Sequence, residues 1–145
     1  MEKFKFRGKR TDNGEWVYGY YFKTPLTAEN FDADSFQSGI NRHCIASEHG
    51  VVYEVDPETV SLFTGLKDKR GNEWYRKDIL VDASGVPCFI IDYDDDKAMF
   101  NGFYLNEDGS YDDGYEGNLG YLRSLGCTVG GNTFENPELL GGQKW

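Results

Sequence analysis

A chain of 145 residues with 10 Phe, 10 Tyr, 3 Trp and 18 Gly, but only 2 Met, has the material for pleated sheets and tight turns rather than for long helices. Its length suits one domain or two small subdomains, with a core that buries on the order of 70% of the unfolded surface. The net charge of −10 is uneven: residues 1–80 hold 12 Lys/Arg against 13 Asp/Glu and residues 81–145 hold 3 against 12, so the second half is a poor match for duplex nucleic acid.

In chain order, Lys3-Phe4-Lys5-Phe6-Arg7 alternates, with Phe4 and Phe6 on one side and the basic residues on the other. Asn13-Gly14 is a hairpin turn. The returning strand places Trp16, Tyr18, Tyr20 and Phe22 on one face and Val17, Gly19 and Tyr21 on the other. Bulky residues on both faces imply a strand covered on both sides or one at an oligomer contact. Thr24-Pro25 breaks the strand, and Asn30–Gln37 reads as a polar loop with Phe31 and Phe36 as anchors. Strands at Ile40–Ile45 and Val51–Val55 flank a turn at Glu48-His49-Gly50. Asp56-Pro57-Glu58 opens a short helical turn.

Thr59–Leu80 is a hairpin-like stretch, two apolar runs around the basic tip Lys67–Asn72, and it forms the joint between the charge-balanced and acidic halves. Asp78–Val81, the nearly continuous apolar run Val86–Tyr93, and Ala98–Leu105 read as strands. Asn106–Gly117 reads as a long acidic, Gly-rich loop. Leu119–Leu125 is a short helix or strand, Cys127–Val129 a last strand, Asn136–Leu140 a terminal helical turn and Gly141–Trp145 a tail. The fold class is mainly β, an N-terminal antiparallel hairpin subdomain (1–76) followed by a small closed β-barrel (77–140).

No constellation assembles a reaction. His43, Cys44 and His49 cluster in sequence, but neighbouring strand residues point to opposite faces and zinc needs three or four ligands. Asp92, Asp94, Asp95 and Asp96 read as a hairpin tip rather than a cation site. Asn106–Ser110 lacks the glycine spacing and closing Glu of a calcium loop. The tip Lys67–Arg70, with Trp74 to Lys77 behind it, reads as a polar turn backed by core aromatics before it reads as a nucleic-acid contact. No phosphate-binding glycine loop and no nucleophile elbow is present. Cys44, Cys88 and Cys127 are dispersed, as reduced thiols are, and neither a signal peptide nor a membrane-length apolar run is visible.

Several stretches resemble the YopX family: Phe4–Arg10 with Asn13–Gly19, Val55–Val60 with Thr64–Asp68, Asp78-Ile79-Leu80, and Gly131–Leu140. Lys77 stands where the family usually has Gly, Arg76-Lys77 replaces its acidic-Gly approach, and Gly130 replaces an apolar position. The resemblance implies a phage or prophage origin and an SH3-like form for the C-terminal barrel, and it carries over no catalytic residue.

The expectation is therefore a non-enzymatic accessory protein of the host cytoplasm, without cofactor or metal, acting through protein contacts. Its partners are a second copy or a host or phage protein; nucleic acid is disfavoured and no membrane is involved. Candidate contact residues are Trp16, Tyr18, Tyr20, Arg70, Asp94, Asp95 and Asp96. One alternative is an acidic module that mimics nucleic acid or caps a basic host protein. The other is a weak nucleic-acid binder through residues 67–77.

Overall fold

The computed structural model describes residues 5–25, 41–106, 108 and 110–140. The expected start of the first strand at Lys3-Phe4, the loop Asn30–Gln37 and the tail Gly141–Trp145 lie outside them. The chain divides into two compact units, Met1–Leu62 and Phe63–Trp145. The fold is mainly β, and every pairing between named strands is antiparallel.

In the first unit the strands are β1 (Phe6–Lys9), β2 (Trp16–Pro25), β3 (Asn41–Ala46) and β4 (Val52–Glu54), ordered β4-β3-β2-β1. The Asn13 side chain accepts from Glu15 N–H in the β1–β2 turn, and Gly14 takes the left-handed conformation at φ 72. Strand parity then fixes the faces. Tyr21 lies opposite Ile45, and Ile45 opposite Tyr53. Ile45 and Val55 are buried on that side, and Gly8 leaves their side chains room. At Gly19 any side chain would run into the Ala46 carbonyl oxygen, so β2 meets β3 there only as glycine. Asp56 accepts from Glu58 N–H and caps the 3-10 helix Pro57–Thr59. Thr59 Oγ1 in turn accepts from Lys9 N–H, tying that helix to β1.

Strand β5 (Ser61–Lys67) begins in the first unit, where Ser61 and Leu62 pair with β1, and continues into the second, where it pairs with β6 (Glu73–Tyr75). The expected hairpin of Thr59–Leu80 is thus present, with Trp74 and Tyr75 buried. The rest of the second unit is β7 (Asp78–Val81), β8 (Pro87–Asp94), β9 (Met99–Leu105), β10 (Tyr111–Asn118), helix α1 (Leu119–Ser124), β11 (Thr128–Asn132) and a 3-10 helix, Pro137–Leu140.

Its sheet runs β10-β9-β8-β7-β11. The consecutive residues Ile79 and Leu80, and Ile90 and Ile91, are all fully buried because both faces are covered. Leu80 and Ile91 pack with Trp74, Leu119, Leu122 and Cys127, while Ile79 and Ile90 pack with Leu105 and Leu140. This two-sided burial is why DILV and FII show no polar alternation. The helix sits directly on the sheet: a Cβ at Gly102 would come within 2.5 Å of Leu122 Cδ1.

Two expectations are corrected. The barrel does not close: β10 and β11 end the sheet, and no pairing joins them among the described residues. After β10 the chain enters α1 across a sheet face and returns as a strand on the far side of β7, so β11 never reaches β10. The acidic stretch after Asn106 is also not a loop throughout. Tyr111–Asn118 is a strand, paired Tyr111↔Leu105 to Asn118↔Asn101 with an irregularity between Asp112 and Glu116. Its composition reads as loop, yet backbone hydrogen bonds to β9 require no particular side chain.

Candidate functional site

The polar residues that stand out in the sequence are mostly engaged with backbone. Asp68 is buried, and its carboxylate accepts from Arg70 N–H at 2.9 Å, Asn72 N–H at 3.0 Å, the Asn72 side-chain amide at 3.3 Å and Val129 N–H at 3.4 Å. Burial alone would raise its pKa, but these donors outweigh it and hold the carboxyl below its ordinary value. Asp78 Oδ2 accepts from Tyr75 N–H at 2.7 Å across the tight β6–β7 turn. Asn132 Oδ1 accepts from Phe134 and Glu135 N–H, while Asn136 Oδ1 accepts from Asn132 N–H. Each side chain satisfies backbone donors that a turn would otherwise strand.

One ion cluster stands apart. Asp92 is nearly buried and accepts from Arg76 Nε at 2.7 Å, Lys77 Nζ at 2.5 Å and its neighbour Tyr93 N–H. Desolvation would raise its pKa; the Lys77, Tyr93 and Arg76 hydrogen bonds prevail and lower it. Lys77 holds φ 73, a left-handed conformation. Its N–H donates to the Ile91 carbonyl and its own carbonyl accepts from Thr133 N–H, so the turn is locked on both sides. A glycine suits that backbone; the lysine adds the ammonium that Asp92 holds.

The basic tip is organised inward. Lys69 Nζ donates to the Ser124 carbonyl and Arg123 Nε to the Lys67 carbonyl, so tip and α1 brace each other. Arg70 is exposed at that tip. Asp94 ends β8, and Asp95 and Asp96 lie in the β8–β9 turn, a different hairpin. Asp94 accepts from Asp96 and Lys97 N–H and from the buried Asn101 side chain, while Asp95 and Asp96 face solvent. Cys44 is buried, His49 is exposed, and His43 Nδ1 is hydrogen-bonded to the Tyr21 hydroxyl at 2.6 Å. Among the described residues no three His, Cys, Asp or Glu side chains converge to hold a metal, and no helix is long and apolar enough to cross a membrane.

The structure does bring together Trp16, Tyr18 and Tyr20. They point to one face of β2, and Phe22 joins them. Tyr18 is 45% exposed, Tyr20 57% and Phe22 38%. The register Tyr20↔Ala46↔Val52 continues the face across β3 to β4, where Val52 is 54% exposed. The other face of β2 carries the core-facing Tyr21, in register with the buried Ile45. Trp16 is half-buried, with the Arg7 guanidinium 4.7 Å and the Lys9 ammonium 5.6 Å from its ring centre. Sequence reasoning left Phe22 out of the candidate set although period-two spacing includes it. Val52 had no local signal, because its place depends on the β2–β3–β4 register.

A family model described as YopX protein matches residues 5–141. The chain belongs to the YopX family. No curated protein matches it. The stretches that carry the YopX resemblance include Asp56, Thr59, Asp68, Asp78, Asn132 and Asn136, whose side chains all serve turns, caps or strand ends. The exposed face on β2 is thus the strongest candidate site in this YopX protein.

Proposed function

We propose that this YopX protein is a non-catalytic phage or prophage accessory protein of the host cytoplasm, acting through protein contacts and self-associating by the open face of β2–β4. One observation carries the reading: Tyr18, Tyr20, Phe22 and Val52 turn outward from a sheet whose other face is buried. Removing apolar surface from water gains about 25 cal/mol per Å², and large exposed apolar patches commonly mark interaction sites. Light scattering over a concentration series tests it. Self-association that Tyr20→Ser weakens is expected; a wild-type protein that stays monomeric at high concentration rejects the reading.

A second reading rests on the exposed Asp95 and Asp96, with the balance of 3 Lys/Arg against 12 Asp/Glu after residue 80: the second unit caps a basic protein. Capture of a basic partner from host lysate should fall when both aspartates become asparagine. Undiminished capture would remove this option.

A further inference from the structure

We propose that the β5–β6 tip and α1 together form a binding surface for single-stranded nucleic acid. Residues 67–73 and 119–125 carry four cations, Lys67, Lys69, Arg70 and Arg123, against two carboxylates, Asp68 and Glu73, in a chain of net charge −10. The fold joins the two segments: Lys69 Nζ donates to the Ser124 carbonyl at 3.2 Å and Arg123 Nε to the Lys67 carbonyl at 2.6 Å. A carbonyl carries no net charge, so each bond fixes a cation in place without neutralising it. All four cations are exposed, and among the described residues none of them is in an ion pair. Asp68 is buried, its carboxylate bonded to the backbone N–H groups of the tip, and Glu73, opposite Lys67, accepts from the Tyr75 hydroxyl. Beside the cations, Tyr121 and Leu125 are each 60% exposed and lie one turn apart, joined by the bond from Leu125 N–H to the Tyr121 carbonyl.

Cations around an exposed ring suit a ligand that offers phosphates and an unpaired base together. Arg70 donates to Asp68 through its backbone N–H, which leaves the guanidinium fork to a phosphate. Binding phosphates releases condensed counterions, a driving force that opposes the repulsion from a chain of net charge −10. The dispersed carboxylates of a protein partner hold no such layer. A duplex is disfavoured twice: its bases are stacked and closed to Tyr121, and its charge, one per about 1.7 Å, meets the strongest repulsion. Stacking on a ring is sequence-tolerant, so the expected ligand is single-stranded DNA or RNA without a strict motif. The surface lies within the second unit, so it stands independently of the self-association assigned to β2–β4.

The test is fluorescence anisotropy of a labelled oligothymidylate with the full chain, with a duplex of equal length as control and poly-glutamate as competitor. Affinity should fall about fiftyfold between about 50 and 200 mM salt, as about four phosphate contacts on a single strand require. In Arg70→Gln, which leaves about three, the fall should be about twentyfold. Binding should weaken about tenfold on Tyr121→Ala and survive Tyr121→Phe, which keeps the ring. Both side chains are exposed, so these variants keep the fold and circular dichroism should not change. No binding at about 50 mM salt, indifference to Arg70→Gln or to Tyr121→Ala, or equal affinity for the duplex would overturn the proposal. Displacement of the strand by poly-glutamate at equal charge concentration would overturn it too, and would assign the surface to an acidic protein.

Discussion

Asp68, just after β5 in the second unit, and Tyr20, within β2 in the first, are both polar-tipped residues, and they are used in opposite ways. Asp68 is buried with its carboxylate surrounded by donors. Tyr20 leaves more than half of its surface in water. The second unit covers both faces of its sheet at Ile79, Leu80, Ile90 and Ile91, although Tyr93 and Tyr104 stay exposed, and its polar residues Asp68, Asp78 and Asn132 go inward to complete turns. The first unit buries Ile45 and Val55 on one face and leaves the rings of Tyr18, Tyr20 and Phe22 exposed on the other. In this protein the residues easiest to recognise are the ones that hold the fold, and the surface suited to a partner is made of rings that stay exposed to water.

That contrast can be broken by substitutions in the second unit that alter self-association, or by substitutions on the β2 face that alter stability. The largest expected effect is Trp74→Ala, which empties a fully buried site between Leu80, Ile91 and Leu122; chemical denaturation should show a loss of about 3–5 kcal/mol. Asp68→Ala comes next, at about 2–3 kcal/mol, because several donors lose a charged acceptor together.

The acid limb of stability provides a separate check. Asp68 and Asp92 both have folded-state pKa values below ordinary, so their contribution is fully present above about pH 4, the unfolded value. It is lost as pH falls through the lower folded values, because the unfolded chain takes up protons first. Asp68→Asn should flatten part of that loss below about pH 4 in denaturation followed by circular dichroism; an unchanged acid limb would show that the carboxylate charge contributes nothing there.

Lys77→Gly should change stability by less than about 1 kcal/mol, because relief of the left-handed backbone opposes loss of the Asp92 contact. In an Asp92→Asn background the ion pair is already gone, and the same change should stabilise. The smallest effect on folding belongs to Tyr20→Ser, within about 0.5 kcal/mol, although it should reduce self-association. A large loss of stability there would move Tyr20 into the group of residues that hold the fold.

The β class, the hairpins and nearly every turn were legible in the sequence because their determinants are local. Asn13-Gly14, Asp56-Pro57-Glu58 and Arg70-Gly71-Asn72 bend the backbone through their own side chains and φ preferences. Strand β10 was not legible, since Gly- and Asp-rich text resembles a loop until β9 lies beside it. The Asp92 cluster was not legible either: Asp92 read as one acid of a turn, and only the β7–β8 pairing sets it against Arg76 and Lys77.

Trp16, Tyr18, Tyr20 and Phe22 show the division most clearly. Alternation alone placed them on one face of a strand, because side-chain direction repeats every two residues. Which face would be buried depended on Ile45, Tyr53 and Val55 arriving behind β2, and the breadth of the open face depended on Val52 being in register with Tyr20. Exposure depends on neighbours distant in sequence. For that reason the sequence by itself determined the row of rings, and the tertiary structure decided that it would face outward.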